Sequence, residues 1–430
     1  MPLGRSWMRK LAQLGVALAV AVGCATVARA EGPGIRVGDR VVFHPGIAAE
    51  FRYDDNIFFQ STNKTGAFML RLLPTLDLAT RPSERDAQPH SIDFRLRAGL
   101  DYREFLTGDS NVNRYRGFGV LFSGLLSILP SGPFSIDLYD NFNRTTQLPY
   151  NYVGQFPQLD RDTNELGARF RIRPGGRRLE IDLGYAFGID FFENDPYKIF
   201  NLYRHTANLR ALWRFFPKTA VYIDVNFQAL QYVNPSPAMI DLATATEPAR
   251  INSFPIRAIA GLNGLITTKL SFNAYIGYGN GLYAVGPNPN TAIGGLELRW
   301  RPTVLSDGAL GYRHDFNNSL VGTYYDTDSV YISWAQQIWR FSAFARLQYS
   351  NLRFAGISSA FITPNNRTDN YLTFSFRFEY PFKPWLGLGL TYDLTYNNTN
   401  ATLVSGAPVT ALIPLDYLKN EVALRLTFAY

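Results

Sequence analysis

Apolar and polar residues alternate with a period of two in segment after segment of this chain, and almost nowhere with the period of a helix. Successive side chains of an extended strand point to opposite faces, so each such segment presents one apolar and one polar face. Ile92, Phe94, Leu96, Ala98, Leu100 and Tyr102 interleave with Asp93, Arg95, Arg97, Gly99, Asp101 and Arg103. Leu372, Phe374, Phe376, Phe378 and Tyr380 interleave with Thr373, Ser375, Arg377 and Glu379. About eighteen segments of this kind, among them 113–128 and 251–266, succeed one another between residues 43–55 and 416–430. Each reaches the roughly 9 to 11 residues that a tilted strand needs to cross a bilayer.

Two soluble alternatives fit less well. A β-propeller would repeat every 40 to 50 residues or so with blade motifs, and a row of β-sandwiches would carry linkers between domains; the chain has neither. The spacing of the segments gives an independent test. If the first strand runs outward, the even connections are tight: Pro174 to Arg177, Pro217-Lys218, Thr267-Thr268, Trp339-Arg340 and Phe382-Lys383. The odd ones are long: Arg144 to Arg161, Asn234 to Arg250, Ala355 to Asn366 and Asn398 to Leu415. Arg81 to Pro89, read as a long polar turn, is the exception. Short periplasmic turns and long outer loops are the pattern of bacterial barrels. The expected fold is all-β: a closed antiparallel transmembrane outer-membrane β-barrel of about 18 strands.

The amino terminus supplies the route. Met1 to Lys10 is short and basic, Leu11 to Val22 is uncharged and apolar, and Ala28-Arg29-Ala30 is a small-x-small cleavage site. Residues 1–30 read as a secretory signal peptide and residues 31–430 as the barrel. Ala21-Val22-Gly23-Cys24 is an alternative boundary, which would leave a lipidated Cys24. Cys24 is the only cysteine, so cleavage after Ala30 excludes disulfides and cysteine metal sites. Loss of Arg5, Arg9, Lys10 and Arg29 takes the formal charge from +7 to +3, which gives nucleic-acid binding little support.

No catalytic set stands out. His44, His90, His205 and His314 lie on different segments without metal-ligand spacing, and no nucleophile elbow or phosphate loop is present. Neither a metal nor a cofactor is expected, and the chain does not read as an enzyme. A rim pair of His314 and Asp315 is the nearest approach to a hydrolytic site. The polar faces say more. Arginine outnumbers lysine 35 to 7, and many arginines fall on the polar phase together with acids. The candidate lumen-lining residues are Arg95, Arg97, Arg169, Arg171, Arg173, Arg204, Arg210, Arg377, Arg425, Glu379 and Glu421. Either they neutralise one another across strands or their positive excess favours anionic or hydroxyl-rich solutes. Glu165 to Arg173 is the most positive stretch. On the apolar side, Trp213, Trp300 and Trp385 stand beside expected turns, where an interfacial girdle belongs.

The last strand resembles the carboxy-terminal assembly signal of outer-membrane proteins, with Leu424, Leu426, Phe428 and the terminal Tyr430 on one face and Glu421 and Arg425 on the other. Tyr53-Asp54-Asp55-Asn56-Ile57-Phe58, followed by Leu72-Leu73-Pro74-Thr75-Leu76-Asp77-Leu78, resembles the opening of the type-two β-barrel porin family. The strand number resembles that of the barrel component of polysaccharide-export translocons. These resemblances imply outer-membrane lipids, the barrel-assembly machinery, a separate periplasmic export lipoprotein and a polysaccharide substrate as partners. The expected function is export of a capsular or exopolysaccharide; the alternatives are a general or solute-specific porin and an adhesive surface barrel. Deletion of Phe428 to Tyr430 is expected to abolish membrane assembly, seen as loss of the heat-modifiable band from outer-membrane fractions.

Overall fold

The structure is a computed structural model, and it describes residues 32–80, 91–146, 160–175, 178–195, 197–235, 250–357, 362–405 and 411–430. Nineteen hydrogen-bonded strands form one sheet; the three-residue strand Ile35–Val37 pairs with Val41–Phe43 at the turn end of the first long strand, and the remaining eighteen build the wall. They are β1 (Val41–Asp54), β2 (Ala67–Thr80), β3 (Ile92–Leu106), β4 (Gly117–Ile128), β5 (Phe134–Thr145) and β6 (Arg161–Ile172). Next come β7 (Leu179–Phe192), β8 (Leu202–Phe216), β9 (Thr219–Tyr232), β10 (Ile256–Leu265), β11 (Leu270–Asn280) and β12 (Asn290–Trp300). The last are β13 (Ser306–Asn318), β14 (Tyr324–Ile338), β15 (Phe341–Ala355), β16 (Thr368–Lys383), β17 (Leu386–Thr399) and β18 (Tyr417–Ala429).

Every strand pairs antiparallel with its neighbours in the chain, and β18 returns to β1, with Gly46 opposite Ala429 and Asp54 opposite Glu421. The sheet has no free edge, which is the condition for crossing hydrocarbon without unpaired backbone groups. The apolar phase faces outward: Ile276 is 70 % exposed, Ile223 and Leu166 57 %, and Leu424 49 %. In water such a surface would aggregate; around a closed barrel it is the lipid-facing band. The fold is therefore the expected closed barrel of the bacterial outer membrane.

Each alternating segment of the sequence corresponds to one strand. Where the ends differ, local chemistry explains it. The segment expected from 251 enters the sheet only at Ile256, because Pro255 has no N–H to donate and Ser253 makes isolated bridges to Leu230 and Tyr283 instead. The segment expected from 113 starts at Gly117, after a helical turn, Ser110–Asn113, capped by the Asp109 carboxylate. The tight connection expected at Phe382-Lys383 lies instead at Pro384-Trp385, because a register shift between Pro381 and Lys383 carries β16 two residues further. Outside the barrel wall, Ile362–Thr363, Thr402–Ser405 and Ala411–Pro414 form a small second sheet across two outer connections. The signal segment with Cys24, the connection Arg81 to Pro89, His90, and most of the loops Arg144 to Arg161 and Asn234 to Arg250 lie outside the described residues.

The five tryptophans among the described residues, Trp213, Trp300, Trp334, Trp339 and Trp385, all lie near the end that carries the tight turns. Ring contacts join Trp300 to Trp334 at 5.8 Å, Trp339 to Phe341 at 6.1 Å and Trp385 to Phe428 at 6.4 Å. This is the interfacial girdle.

Inside the wall, close packing is made by tyrosines laid over glycines. Tyr222 stands opposite Gly261 and Tyr331 opposite Gly311. A Cβ on either glycine would lie 2.2 Å from the Tyr222 ring or 2.4 Å from the Tyr331 ring, so any larger residue forces the ring out of its place. Gly261→Val is expected to destabilise the barrel by about 1–3 kcal/mol through overpacking, read as a lower urea midpoint for loss of the folded band in detergent.

Candidate functional site

The site is the lumen. Inward residues at mid-height, such as Thr391, Ser375 and Arg346, are only half-buried, as side chains facing a solvent-filled space should be. Eighteen strands enclose an interior wide enough for an aqueous channel, where eight would be filled by side chains.

The charges of the wall are organised around the closing seam. Along one hydrogen-bonded row, Arg71 of β2, Glu50 of β1 and Arg425 of β18 stand side by side. Glu50 is fully buried and accepts from Arg52 Nε at 2.9 Å, Arg71 Nη1 at 2.9 Å and Arg425 Nε at 2.8 Å. Arg52 also donates to Glu421 at 2.9 Å, and Arg71 grips Asp101 of β3 with two hydrogen bonds, 3.0 and 2.7 Å. Higher up, buried Lys419 donates to buried Asp54 at 2.6 Å and lies 4.5 Å from the Phe59 ring centroid. One carboxylate thus collects three guanidinium groups, two of which, Arg52 and Arg71, also bind a second carboxylate. Planar, multidentate arginine suits that role better than lysine.

The remaining candidates fall into paired and unpaired sets. Arg95 and Arg97 both donate to Asp77, at 2.9 and 2.8 Å. Arg171 meets Asp182 at 2.8 Å, with Asp137 and Glu180 each at 3.6 Å, and Arg173 meets Glu180 at 3.6 Å. Arg204 reaches Glu165 at 3.4 Å; Arg210 reaches Asp224 at 3.6 Å and covers the Tyr222 ring at 4.8 Å. Arg425 and Glu421 belong to the seam, and Glu379 lies in the seam's row beyond Gly389. Three inward arginines have no carboxylate at ion-pair distance among the described residues. Arg169 on β6 has none; Arg346 on β15 holds only Gln348 at 2.8 Å and the Tyr331 ring at 4.1 Å; Arg377 on β16 lies 5.9 Å from the Phe344 ring. The stretch that reads as most positive is therefore largely neutralised, and only Arg169 of its three arginines is left over. The neutralising acids come from β5 and β7, which a reading of one strand does not see.

Two residues singled out together part company. His314 points outward, with Nδ1 2.8 Å from Asp328 and Nε2 3.2 Å from Thr291 Oγ1. Asp315 points inward to Arg257 at 3.1 Å and Arg313 at 2.5 Å. Opposite faces of β13 separate them. Leu424, Leu426 and Phe428 face outward beside the girdle, and Tyr430 N donates to the Pro45 carbonyl at 3.0 Å.

No local pattern of residues marks what narrows the outer mouth. Apolar residues of several connections turn inward and pack there. Ile57 and Val112 join Met69 and Phe105 in one cluster, with Phe58 against Tyr115 at 5.5 Å. Leu320, between β13 and β14, packs against Phe192, Tyr197 and Phe200, which belong to β7 and the connection after it. Since β7 and β13 are six strands apart, these connections reach across the opening. Burial pushes the hydroxyls of Tyr115 and Tyr197 up, Tyr197 to about 12, and Tyr197 lies close enough to raise Tyr115 further. Arg367, buried against the Phe354 ring, forms two hydrogen bonds to Asp369, at 2.8 and 2.6 Å, and ties down the far side of the mouth.

No protein-family model and no curated relative matches the chain. Among solved structures it is similar to Pseudomonas aeruginosa OpdK with vanillate, at 10 % identity over 90 % of this chain and 99 % of that one, with a TM-score of 0.46. It is similar to Pseudomonas aeruginosa OccK2 (OpdF) in complex with glucuronate, at 9 % identity over 90 % and 98 %, TM-score 0.47. Acinetobacter baumannii OccAB4 shows 11 % identity over 90 % and 98 %, TM-score 0.48. In its own architecture the chain is a closed antiparallel β-barrel of eighteen spanning strands.

Glu50→Gln would leave Arg52, Arg71 and Arg425 without their shared partner. It is expected to destabilise the barrel by about 3 kcal/mol, read as a lower urea midpoint with unchanged strand content before unfolding.

Proposed function

We propose that this barrel is a passive, solute-selective conduit that favours small anionic or hydroxyl-rich molecules. The observation that carries the reading is the set Arg169, Arg346 and Arg377, inward arginines left without carboxylate partners in a wall whose other charges are mostly paired. Paired charges cancel at a distance; an unpaired guanidinium keeps both its field and its donors for a passing solute. The narrowed outer mouth supports small solutes over a thick polymer. No step requires chemistry from the wall, and a concentration gradient drives the flow.

Export of a capsular or exopolysaccharide with a periplasmic lipoprotein is the second reading. It is favoured by the hydroxyl-rich and aromatic inner face, where Thr373, Ser375, Thr391 and Tyr331 could hydrate a sugar chain.

Purified protein in planar bilayers is expected to give discrete openings with chloride preferred over potassium. A unit charge about 6 Å from an ion in water is worth about 0.7 kcal/mol, or roughly threefold in permeability ratio. Arg169→Gln and Arg377→Gln should each lower the anion preference by up to that factor, more at low salt than at high. An unchanged ratio in both variants would reject the role assigned to these arginines. In a deletion strain, secreted polysaccharide is expected to be unchanged; its loss would favour export.

A further inference from the structure

We propose that the outward face of β5 and β6 is the contact surface for a second copy of this chain. On it Asp140 and Asn164 form a polar pair within the apolar band: Asp140 lies six residues from the turn end of β5, whereas outward Asp328, which holds His314 and Arg353, lies ten from the turn end of β14. Asp140 lies on the outward phase of β5, between Leu138 and Phe142, directly opposite Gly124 of β4 and Leu166 of β6. Phe134, Ile136 and Leu138 separate it from the turn end, and Phe122 and Val120 of β4 flank it toward the outer end. Its carboxylate accepts one hydrogen bond, 2.6 Å from Asn164 Nδ2, itself on the outward phase of β6. The other carboxylate oxygen has no partner among the described residues, and the second N–H of Asn164 has only the Asn141 carbonyl at 3.4 Å.

A carboxylate with one hydrogen bond is a poor neighbour for lipid chains. A second copy related by a two-fold axis along the membrane normal resolves this. That axis sets equal heights opposite each other, so Asn164 of each copy donates to Asp140 of the other, and each carboxylate gains a second donor. Such an interface is self-complementary, as a two-fold contact must be. Gly124 beside Asp140 lets the backbones approach, and Leu166, 57 % exposed, lies in the contact.

The test is disulfide trapping in intact outer membranes. Leu166→Cys in a Cys24→Ser background carries one cysteine, as does the control Leu310→Cys on the outward face of β13, 49 % exposed. With a mild oxidant, the 166 variant is expected to run mainly as a dimer and the 310 variant as a monomer. Adding Asp140→Leu should cut the trapped dimer at least fivefold, while heat-modifiability shows that the barrel still assembles. Trapping at 166 no greater than at 310, or trapping indifferent to Asp140→Leu, would overturn the proposal.

Discussion

A sheet in hydrocarbon must leave no backbone edge unpaired, and the whole structure answers to that condition. Closure requires β18 to find β1, so the seam joins the most distant parts of the chain: Glu50 and Arg425, in adjacent strands, are 375 residues apart in sequence. Such contacts bear the largest loop-closure cost and reward the chain only when everything between them is arranged. The seam is also where the inner wall is most strongly cross-linked by charge, from Arg425 through Glu50 and Arg71 to Asp101. Backbone ladder and ion pairs reinforce each other at the same rows.

The same alternation that satisfies lipid outside creates the chemistry inside. Each apolar residue turned outward obliges its neighbours to face the lumen, so a wall rich in Arg, Asp and Glu follows from covering the outside with Leu, Phe and Tyr. Most of those charges are used up in cross-strand pairing. What distinguishes this lumen is the small remainder at Arg169, Arg346 and Arg377, together with inward-folded connections that shape the mouth.

The architecture was legible because its signal is local and repeated. Strand by strand, the period of two gave the count, the faces, the closing partner of β18 and most turns; the exceptions, at Pro255, Asp109 and Pro381, arise where one residue's backbone chemistry overrides the pattern. The candidate site was legible only by half. Which residues face inward follows from parity, but whether Arg171 is neutral depends on Asp137 and Asp182 in two other strands. Likewise, nothing in Ile57 or Leu320 as residues of outer connections says that they fold into the mouth. That outcome depends on loop paths and on partners many strands away.

Water access along β17 tests the two-faced closed wall most directly. Single cysteines from Gly387 to Asp393, in a Cys24→Ser background, would be probed in outer membranes with a water-soluble maleimide. Labelling at 387, 389, 391 and 393 and protection at 388, 390 and 392 are expected. Gly389 has room for the added side chain, its nearest neighbours lying 3.8 Å away. Uniform labelling, or labelling in the opposite phase, would contradict a barrel with a wet interior and a lipid-facing exterior.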